Sequence, residues 1–245
     1  MELQAAVNQP VAVNPEPSGI VANLRHLSII EYEIPSQRLR AVMTGLLKTE
    51  ESFVEGITGS RLSIVSFLDQ GAWRGQGAFE QTSYLLHVVR EGEPWHFLLG
   101  ISVGALSAVA IRNLWPMPWH LSAMEFQVSY NSARSGYGLY RLRSQSQWAN
   151  ASWEIQDTGD SIHSDPAGVL PVVSSISAGV SRHHFPRRDG TLGLCKLRYR
   201  GLALTSGRLR QARSDVLERW GLIQRDELLR PSLVAMQHQA SCQIF

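Results

Sequence analysis

The sequence predicts an α+β domain built mainly on antiparallel strands, and three groups of segments support this prediction. Residues 61–68 and 78–90 are dense in apolar and β-branched side chains, as strands are. The sequence Glu91-Gly-Glu-Pro then predicts a tight turn, with residues 95–99 as the returning strand of a hairpin. Three more strand-like segments follow one another with turns between them, which predicts an antiparallel meander over 124–130, 137–144 and 147–156.

Helices are predicted outside this sheet. Residues 36–47 repeat apolar side chains at helical spacing, and Ser36 is a suitable N-cap. Residues 206–220 also carry apolar side chains on one helical face, which predicts an amphipathic helix. The small-residue segment 102–111 predicts a short third helix packed tightly on the sheet.

The chain is predicted to form one domain. Residues 1–22 contain several prolines among small residues and predict a flexible N-terminal arm. Residues 23–245 show no internal repeat and no clear linker, so we expect a single folded unit. Within it, residues 192–200 and the segment from Leu233 onward predict the last strands of the sheet.

The composition argues against several functions. A formal net charge of +2 and the lack of a basic, aromatic platform argue against nucleic-acid binding. The longest apolar run, residues 103–111, is too short to cross a membrane, and no leader pattern is visible, so we expect a soluble, cytoplasmic protein. Cys195 and Cys242 show no metal-ligand spacing, and we expect two reduced thiols.

Motifs for common cofactors and nucleophiles are also missing from the sequence. The glycine-rich stretch that begins at Gly71 lacks the lysine of a phosphate-binding loop. No Gly-x-Ser-x-Gly sequence is present, which gives no support to a serine hydrolase. We therefore predict no cofactor and no metal.

An aromatic segment after the hairpin is the most informative part of the sequence. Pro116 and Pro118 favour an extended backbone leading into Trp119 and His120. Together with Trp115, these side chains could form an aromatic wall with one titratable group. The alternative is that both tryptophans are core residues and His120 is a structural histidine, since most aromatic side chains serve packing.

This order of segments resembles the acetoacetate-decarboxylase-like superfamily, and more closely an uncharacterised bacterial branch of it. The shared features are the strand hairpin, the aromatic segment with its prolines, and an ending in which a helix precedes Arg230-Pro-Ser-Leu. The resemblance extends over about residues 25–245. It implies a β cone or barrel around a central pocket. It also implies that copies of the chain can assemble into a homo-oligomer.

The resemblance also shows where the family's catalytic groups are replaced. In the decarboxylases a lysine pair follows a proline, and the matching positions here are Trp119 and His120 after Pro118. The carboxylate expected two residues after an aromatic residue is matched by Gln81, while Glu80 lies one position earlier on the opposite side of a strand.

The low lysine content also argues against a lysine-dependent mechanism. Only two of the 23 basic residues are lysines, Lys48 and Lys196, and neither lies in a convincingly buried context. A Schiff base requires a primary amine in a desolvated site. We therefore predict that the protein does not use lysine-dependent imine chemistry.

Two functions remain open from the sequence. The first is an enzyme acting on an oxygenated carbonyl metabolite by enolisation, hydration, decarboxylation or a carbon–carbon bond-forming cyclisation, for instance in the biosynthesis of a specialised metabolite. In this hypothesis His120 is the acid/base, Gln81 polarises a carbonyl group and Arg112 holds a carboxylate or an enolate. The remaining pocket residues are expected to be Trp115, Trp119, Tyr84, Glu80 and Met124.

The alternative is a binding protein for an apolar or aromatic small molecule, which would share the pocket and perform no chemistry. A weaker third option is an interaction module that uses the stretch Arg182-His-His-Phe-Pro-Arg-Arg as an anion or metal site. His183 and His184 are adjacent in a predicted strand and should face opposite ways, which argues against a shared metal ion.

Overall fold

The computed structural model describes residues 20–46, 57–71, 77–107, 117–162, 181–187, 189, 191–200 and 202–245. Within these ranges the chain forms strands, two short helices and a helical segment at residues 106–107. The strands are β1 (Ile20–Glu33), β2 (Ile57–Asp69), β3 (Phe79–Arg90), β4 (Glu93–Val103), β5 (Trp119–Leu121), β6 (Ala123–Asn131), β7 (Gly136–Gln145), β8 (Ala151–Ser161), β9 (Ser181–Pro186), β10 (Leu192–Arg200), β11 (Thr205–Ser214) and β12 (Leu233–Ile244). The helices are α1 (Ser36–Leu46) and α2 (Asp215–Arg219).

Seven strands close into a barrel. Their order is β1-β2-β3-β4-β9-β10-β12, and β12 returns to pair with β1. In this closing pair Ile20 lies opposite Ile244, and Glu31 lies opposite Leu233. Neighbouring strands of the barrel are antiparallel except β4 and β9, which run parallel. The structure therefore confirms the predicted, mainly antiparallel β barrel with a few peripheral helices.

The other strands extend the sheet outside the barrel. β11 pairs with β12 and leads through β8 and β7 to β6, and we call these four strands the wing. β6, β7 and β8 are consecutive and antiparallel, which confirms the predicted meander. β5 is a short parallel addition to β4.

Side chains alternate between the two sides of the barrel wall, as the pleat of a strand requires. The inner side forms one apolar core, with Ile29, Val65 and Leu85 among its members. The outer side forms a second core between the wall, the wing and α1. Leu39 and Met43 of α1 are fully buried in this outer core, in agreement with the helix predicted there.

The amphipathic helix predicted over residues 206–220 is wrong for most of its length. Residues 205–214 are strand β11, and only Asp215–Arg219 is helical. A register shift between Leu209 and Gln211 inserts an extra residue into β11. Leu209 and Ala212, three positions apart, therefore both pack against the outer core, and this spacing imitates a helix in the sequence.

Two other predicted boundaries also change. Ser102 is a residue of β4, so the helix predicted over 102–111 is wrong at its start; residues 106–107 are helical, and the rest of the predicted helix lies outside the described residues. β1 begins at Ile20, so residues 20–22 belong to a barrel strand rather than to the predicted arm. Among the described residues, no helix is long and apolar enough to span a membrane.

Candidate functional site

The barrel encloses a cavity of about 70 Å³. A single water needs roughly 10–15 Å³ of such space, so this cavity has room for a small organic molecule. Inward-facing positions of β1, β2, β3, β4, β5, β10 and β12 line it. Most of these side chains are apolar, among them Leu24, Phe67, Phe79, Leu98, Met117 and Trp119.

A few polar side chains interrupt this apolar lining. They are Asp69, Gln81, Ser83, Tyr199 and Cys242. Gln81 and Ser83 occupy successive inward positions of β3, and Gln81 Nε2 donates a hydrogen bond to Ser83 Oγ at 3.0 Å. The cavity therefore has the composition of a small-molecule site, in which a few polar groups orient a ligand against apolar walls.

Asp69 ends strand β2 and carries a buried carboxyl group. The backbone N–H of Gly71 donates to its Oδ1 at 2.9 Å. Burial raises the pKa of the Asp69 carboxyl above its usual value, and the hydrogen bond from Gly71 opposes this shift. A perturbed carboxyl in a cavity is a candidate for a catalytic group.

Trp119 lines the same cavity, and its indole carries a hydrogen-bond donor that has no partner. Its indole is buried, with 9% of the residue exposed, and its Nε1 has no hydrogen-bond partner in the structure. Buried donors are nearly always paired in folded proteins. An unpaired one beside a cavity is therefore suited to an acceptor atom of a ligand.

Tyr199 and Cys242 lie opposite each other on the paired strands β10 and β12. Cys195 lies on the same inner side of β10, and both cysteines are free, which agrees with the predicted unpaired thiols. Burial raises the pKa of each thiol to about 12. Neither thiol is therefore ionised near neutral pH, and neither is an activated nucleophile.

The state of these thiols gives a direct prediction. We expect iodoacetamide at pH 8 to leave Cys195 and Cys242 unmodified in the native protein, because burial keeps both thiols protonated. The same protein unfolded in urea should take up a label on each thiol. Mass spectrometry counts the adducts, and rapid labelling of native Cys242 would show that its thiol ionises near neutral pH.

Of the residues predicted from the sequence, the structure brings Gln81 and Trp119 together at the cavity. His120 is the next residue of β5 after Trp119 and faces the other side of the wall. There its imidazole stacks on the Trp148 indole, with ring centroids 4.2 Å apart and planes at 2°. Tyr84 lies in the same outer group and makes an edge contact with Trp148.

Gly100 makes room for this outer aromatic group. A Cβ atom at Gly100 would overlap the ring of Trp148, so only glycine allows the indole to lie on the backbone of β4. Trp148 in turn contacts Trp220. The aromatic pair Trp119 and His120 is thus divided, with Trp119 at the cavity and His120 in the outer group.

The other predicted residues lie away from the cavity or outside the described residues. Met124 packs against the outer core, and the Glu80 carboxylate lies beside Gly104. Lys196 is exposed, on the side of β10 opposite Cys195. Arg112, Trp115 and Lys48 lie outside the described residues.

Asp69, Tyr199 and Cys242 are site residues that the sequence did not indicate. Asp69 is the last residue of a strand in which Leu62, Ile64, Val65 and Phe67 are all buried. The alternation that would have placed Asp69 on the same side as Phe67 was hidden, because both faces of β2 are apolar. Tyr199 and Cys242 reach the cavity only through the pairing of β10 with β12, which no local pattern shows.

A second group of side chains, buried except for the partly exposed Arg61, lies inside the barrel beyond the apolar layer of Leu85 and Leu98. Its members are partners across neighbouring strands, in the order Arg61, His87, His96, His183 and Cys195. We call His87, His96 and His183 the histidine row. His87 Nδ1 and His96 Nδ1 share a hydrogen bond of 2.7 Å, and His183 Nε2 hydrogen-bonds Ser181 Oγ at 2.7 Å.

Burial lowers the pKa of all three row histidines, and neighbouring histidines lower it further. For His183 the value falls to about 3. His184 faces the outer side, where it stacks on Trp95, so the two adjacent histidines are separated as the strand pattern predicted. Across the described ranges, no three His, Cys, Asp or Glu side chains are arranged to hold a metal ion.

Comparison with solved structures shows which fold this is. An acetoacetate decarboxylase from Legionella pneumophila aligns with a TM-score of 0.51 at 14% identity, over 97% of this chain and 90% of that chain. An acetoacetate decarboxylase-like enzyme from Sphingomonas wittichii RW1 aligns with a TM-score of 0.52 at 10% identity, over 93% and 91%. The enduracididine biosynthesis enzyme MppR, complexed with pyruvate, aligns with a TM-score of 0.50 at 13% identity, over 91% and 86%.

The chain therefore has the fold of acetoacetate decarboxylase, as the sequence resemblance implied. No protein-family model and no curated protein matches the sequence. At these identities the structural similarity establishes the fold and leaves the chemistry to be argued from the cavity.

Proposed function

We propose that this protein is an enzyme that binds a small carbonyl compound in the barrel cavity and moves a proton at the carbon beside the carbonyl group. One observation carries the proposal: an apolar cavity combines a buried carboxyl group, Asp69, with an unpaired donor, Trp119 Nε1. An acid/base group and a donor for an oxyanion are the two parts that enolisation requires.

Each polar group has a role in this proposal. Trp119 Nε1 and the Gln81 amide donate to the carbonyl oxygen and stabilise the negative charge that develops there. The Asp69 carboxylate takes the proton from the neighbouring carbon, and the electron pair of the broken C–H bond moves toward the carbonyl oxygen. The Asp69 carboxyl group then returns the proton. Because burial raises its pKa, Asp69 is a stronger base than an exposed aspartate.

The proposed reaction uses no imine. Lys196 is exposed on the outer side of β10, and the described residues that line the cavity include no lysine. The names of the similar structures support a carbonyl substrate, because they include an acetoacetate decarboxylase and a complex with pyruvate. Reduction with borohydride in the presence of a carbonyl ligand should therefore trap no adduct on either lysine.

The sequence hypothesis gave the proton transfer to His120, and the present proposal gives it to Asp69. The reason is geometric, since the His120 imidazole stacks on Trp148 across the barrel wall from Trp119. Asp69 lines the cavity itself. His120 keeps a structural part in the proposal, since its stacking anchors the strand that carries Trp119.

Deuterium exchange tests the proposal without knowledge of the natural substrate. Small ketones are incubated with the protein in D₂O, and the loss of the signal from the protons beside the carbonyl group is followed by NMR. We expect exchange with the native protein and a rate at least tenfold lower for Asp69→Asn, which keeps the shape and loses the base. Trp119→Phe should weaken ketone binding about fivefold, because one hydrogen bond is lost.

Asp160→Asn is the matched control, because Asp160 is an exposed residue of the wing and undergoes the same chemical change. Its exchange rate should equal that of the native protein. If ketones bind and no exchange depends on Asp69, the enzyme proposal fails and a non-catalytic binding protein is the better description. The mostly apolar lining is the observation that favours this second function.

A further inference from the structure

We propose that the barrel cavity selects an uncharged carbonyl compound and rejects carboxylates, with Asp69 as the residue that sets this specificity. The inference rests on the proposed function, because it assigns a substrate class to the same cavity. It concerns the charge of the ligand, which the proposed function leaves open.

Asp69 places a buried carboxyl group at the cavity. Only 7% of this residue is exposed, and it lines the cavity together with apolar side chains such as Phe67 and Leu24. The backbone N–H of Gly71 is a neutral donor, so it orients the carboxyl group without neutralising its charge. The described residues around the cavity include no Arg, Lys or His side chain.

Two negative charges repel each other strongly in a confined apolar space. A carboxylate in a cavity of about 70 Å³ would lie close to the Asp69 carboxylate, and the apolar lining screens their repulsion far less than water does. The ligand would also lose its hydration without gaining a cation from the described lining. A neutral carbonyl compound avoids the repulsion and loses much less hydration free energy than a carboxylate.

The side chains that line the cavity include neutral hydrogen-bond donors. Trp119 Nε1 is an unpaired, neutral donor, and the Gln81 amide and Tyr199 hydroxyl are neutral as well. Burial raises the pKa of the Tyr199 hydroxyl well above its usual value, so this group stays protonated. Neutral donors of this kind suit the oxygen of a ketone or an aldehyde.

Two pairs of nearly isosteric probes test the inference. 2,3-Butanedione differs from pyruvate, and 2,4-pentanedione from acetoacetate, by a methyl group in place of a carboxylate oxygen. Dissociation constants are measured by NMR titration at pH 7.5 for the native protein, Asp69→Asn and the control Asp160→Asn. We expect the native protein and the control to bind each diketone at least tenfold more tightly than its acid partner, which is a difference of about 1.4 kcal/mol.

In Asp69→Asn we expect the ratio of diketone affinity to acid affinity to fall at least fivefold, because affinity for the acids rises when the negative charge is removed. A native protein that prefers the acids, or a ratio that does not change in Asp69→Asn, overturns the inference and leaves the proposed function standing. Diketones that bind without deuterium exchange overturn the proposed function and leave the charge selectivity intact. Failure of all four probes to bind overturns both.

Discussion

The free energy of unfolding of the native protein should fall as pH rises, and we expect Glu31→Gln to abolish this fall. Glu31 is 1% exposed and lies opposite Ser63 on the inner side of the barrel wall. Burial raises the pKa of its carboxyl group from 4.5 to about 7, although the Arg61 guanidinium and the Ser63 hydroxyl act in the opposite direction. The folded state therefore favours the protonated form of Glu31.

The sign of the effect follows from this shift. The stability due to protonated Glu31 is fully present below pH 4.5 and is lost as pH rises through about 7. The total loss is on the order of 3 kcal/mol, from about 1.4 kcal/mol for each pKa unit. Glutamine does not titrate, so the free energy of unfolding of Glu31→Gln should lack this decline.

Urea unfolding of both proteins at a series of pH values from 4 to 9 measures the difference. Glu93→Gln is the matched control, because Glu93 is an exposed residue of β4 and undergoes the same chemical change. The control should follow the native pH dependence. Parallel curves for the native protein and Glu31→Gln would show that the Glu31 carboxyl group is already paired or hydrated in the folded state.

His183→Gln is expected to reduce the sensitivity of the protein to acid. His183 is 2% exposed, and its pKa falls from 6.5 to about 3 through burial and the nearby His96 and His184. The folded state holds the neutral form, so stability is lost as pH falls below 6.5 toward the folded value. At pH 5 this group alone accounts for about 2 kcal/mol of lost stability.

The change in unfolding free energy between pH 8 and pH 5, from urea titrations, should therefore be about 2 kcal/mol smaller for His183→Gln than for the native protein. Arg182→Gln, an exposed neighbour on β9, is the control and should keep the native change. The prediction fails if His183→Gln shows the same change as the native protein. The Glu31 and His183 effects have opposite signs over overlapping pH ranges, 4.5 to about 7 for Glu31 and 6.5 to about 3 for His183, so they partly cancel in the native protein.

Much of the fold could be predicted because it depends on local patterns. The β3–β4 hairpin is an example: Glu91 and Gly92 both have positive φ, at 52° and 81°, as the turn sequence suggests. The error at residues 206–220 has a local cause too, since the irregularity after Leu209 gave a strand the spacing of a helix. Single-sequence patterns cannot distinguish these two cases.

The candidate site was less accessible to prediction, because it depends on contacts between distant strands. Trp119 and Gln81 were indicated by the sequence resemblance, and both line the cavity. Asp69 and Cys242 meet there only because the barrel closes through β1, where Ala22 lies opposite Cys242 and Leu24 opposite Asp69. His120 was assigned to the pocket with Trp119, although neighbouring residues of a strand face opposite sides.

The pairing of β1 with β12 affects the order in which the protein folds. Contacts between these strands join the beginning and the end of the described chain, as where Ile20 lies opposite Ile244. Contacts between such distant residues form slowly, because the long intervening chain must first be ordered. During synthesis the earlier strands are therefore made before β12, and the barrel stays open until β12 pairs with β1. Because Cys242 and Ile244 are part of the cavity wall, the cavity is incomplete until β12 is in place.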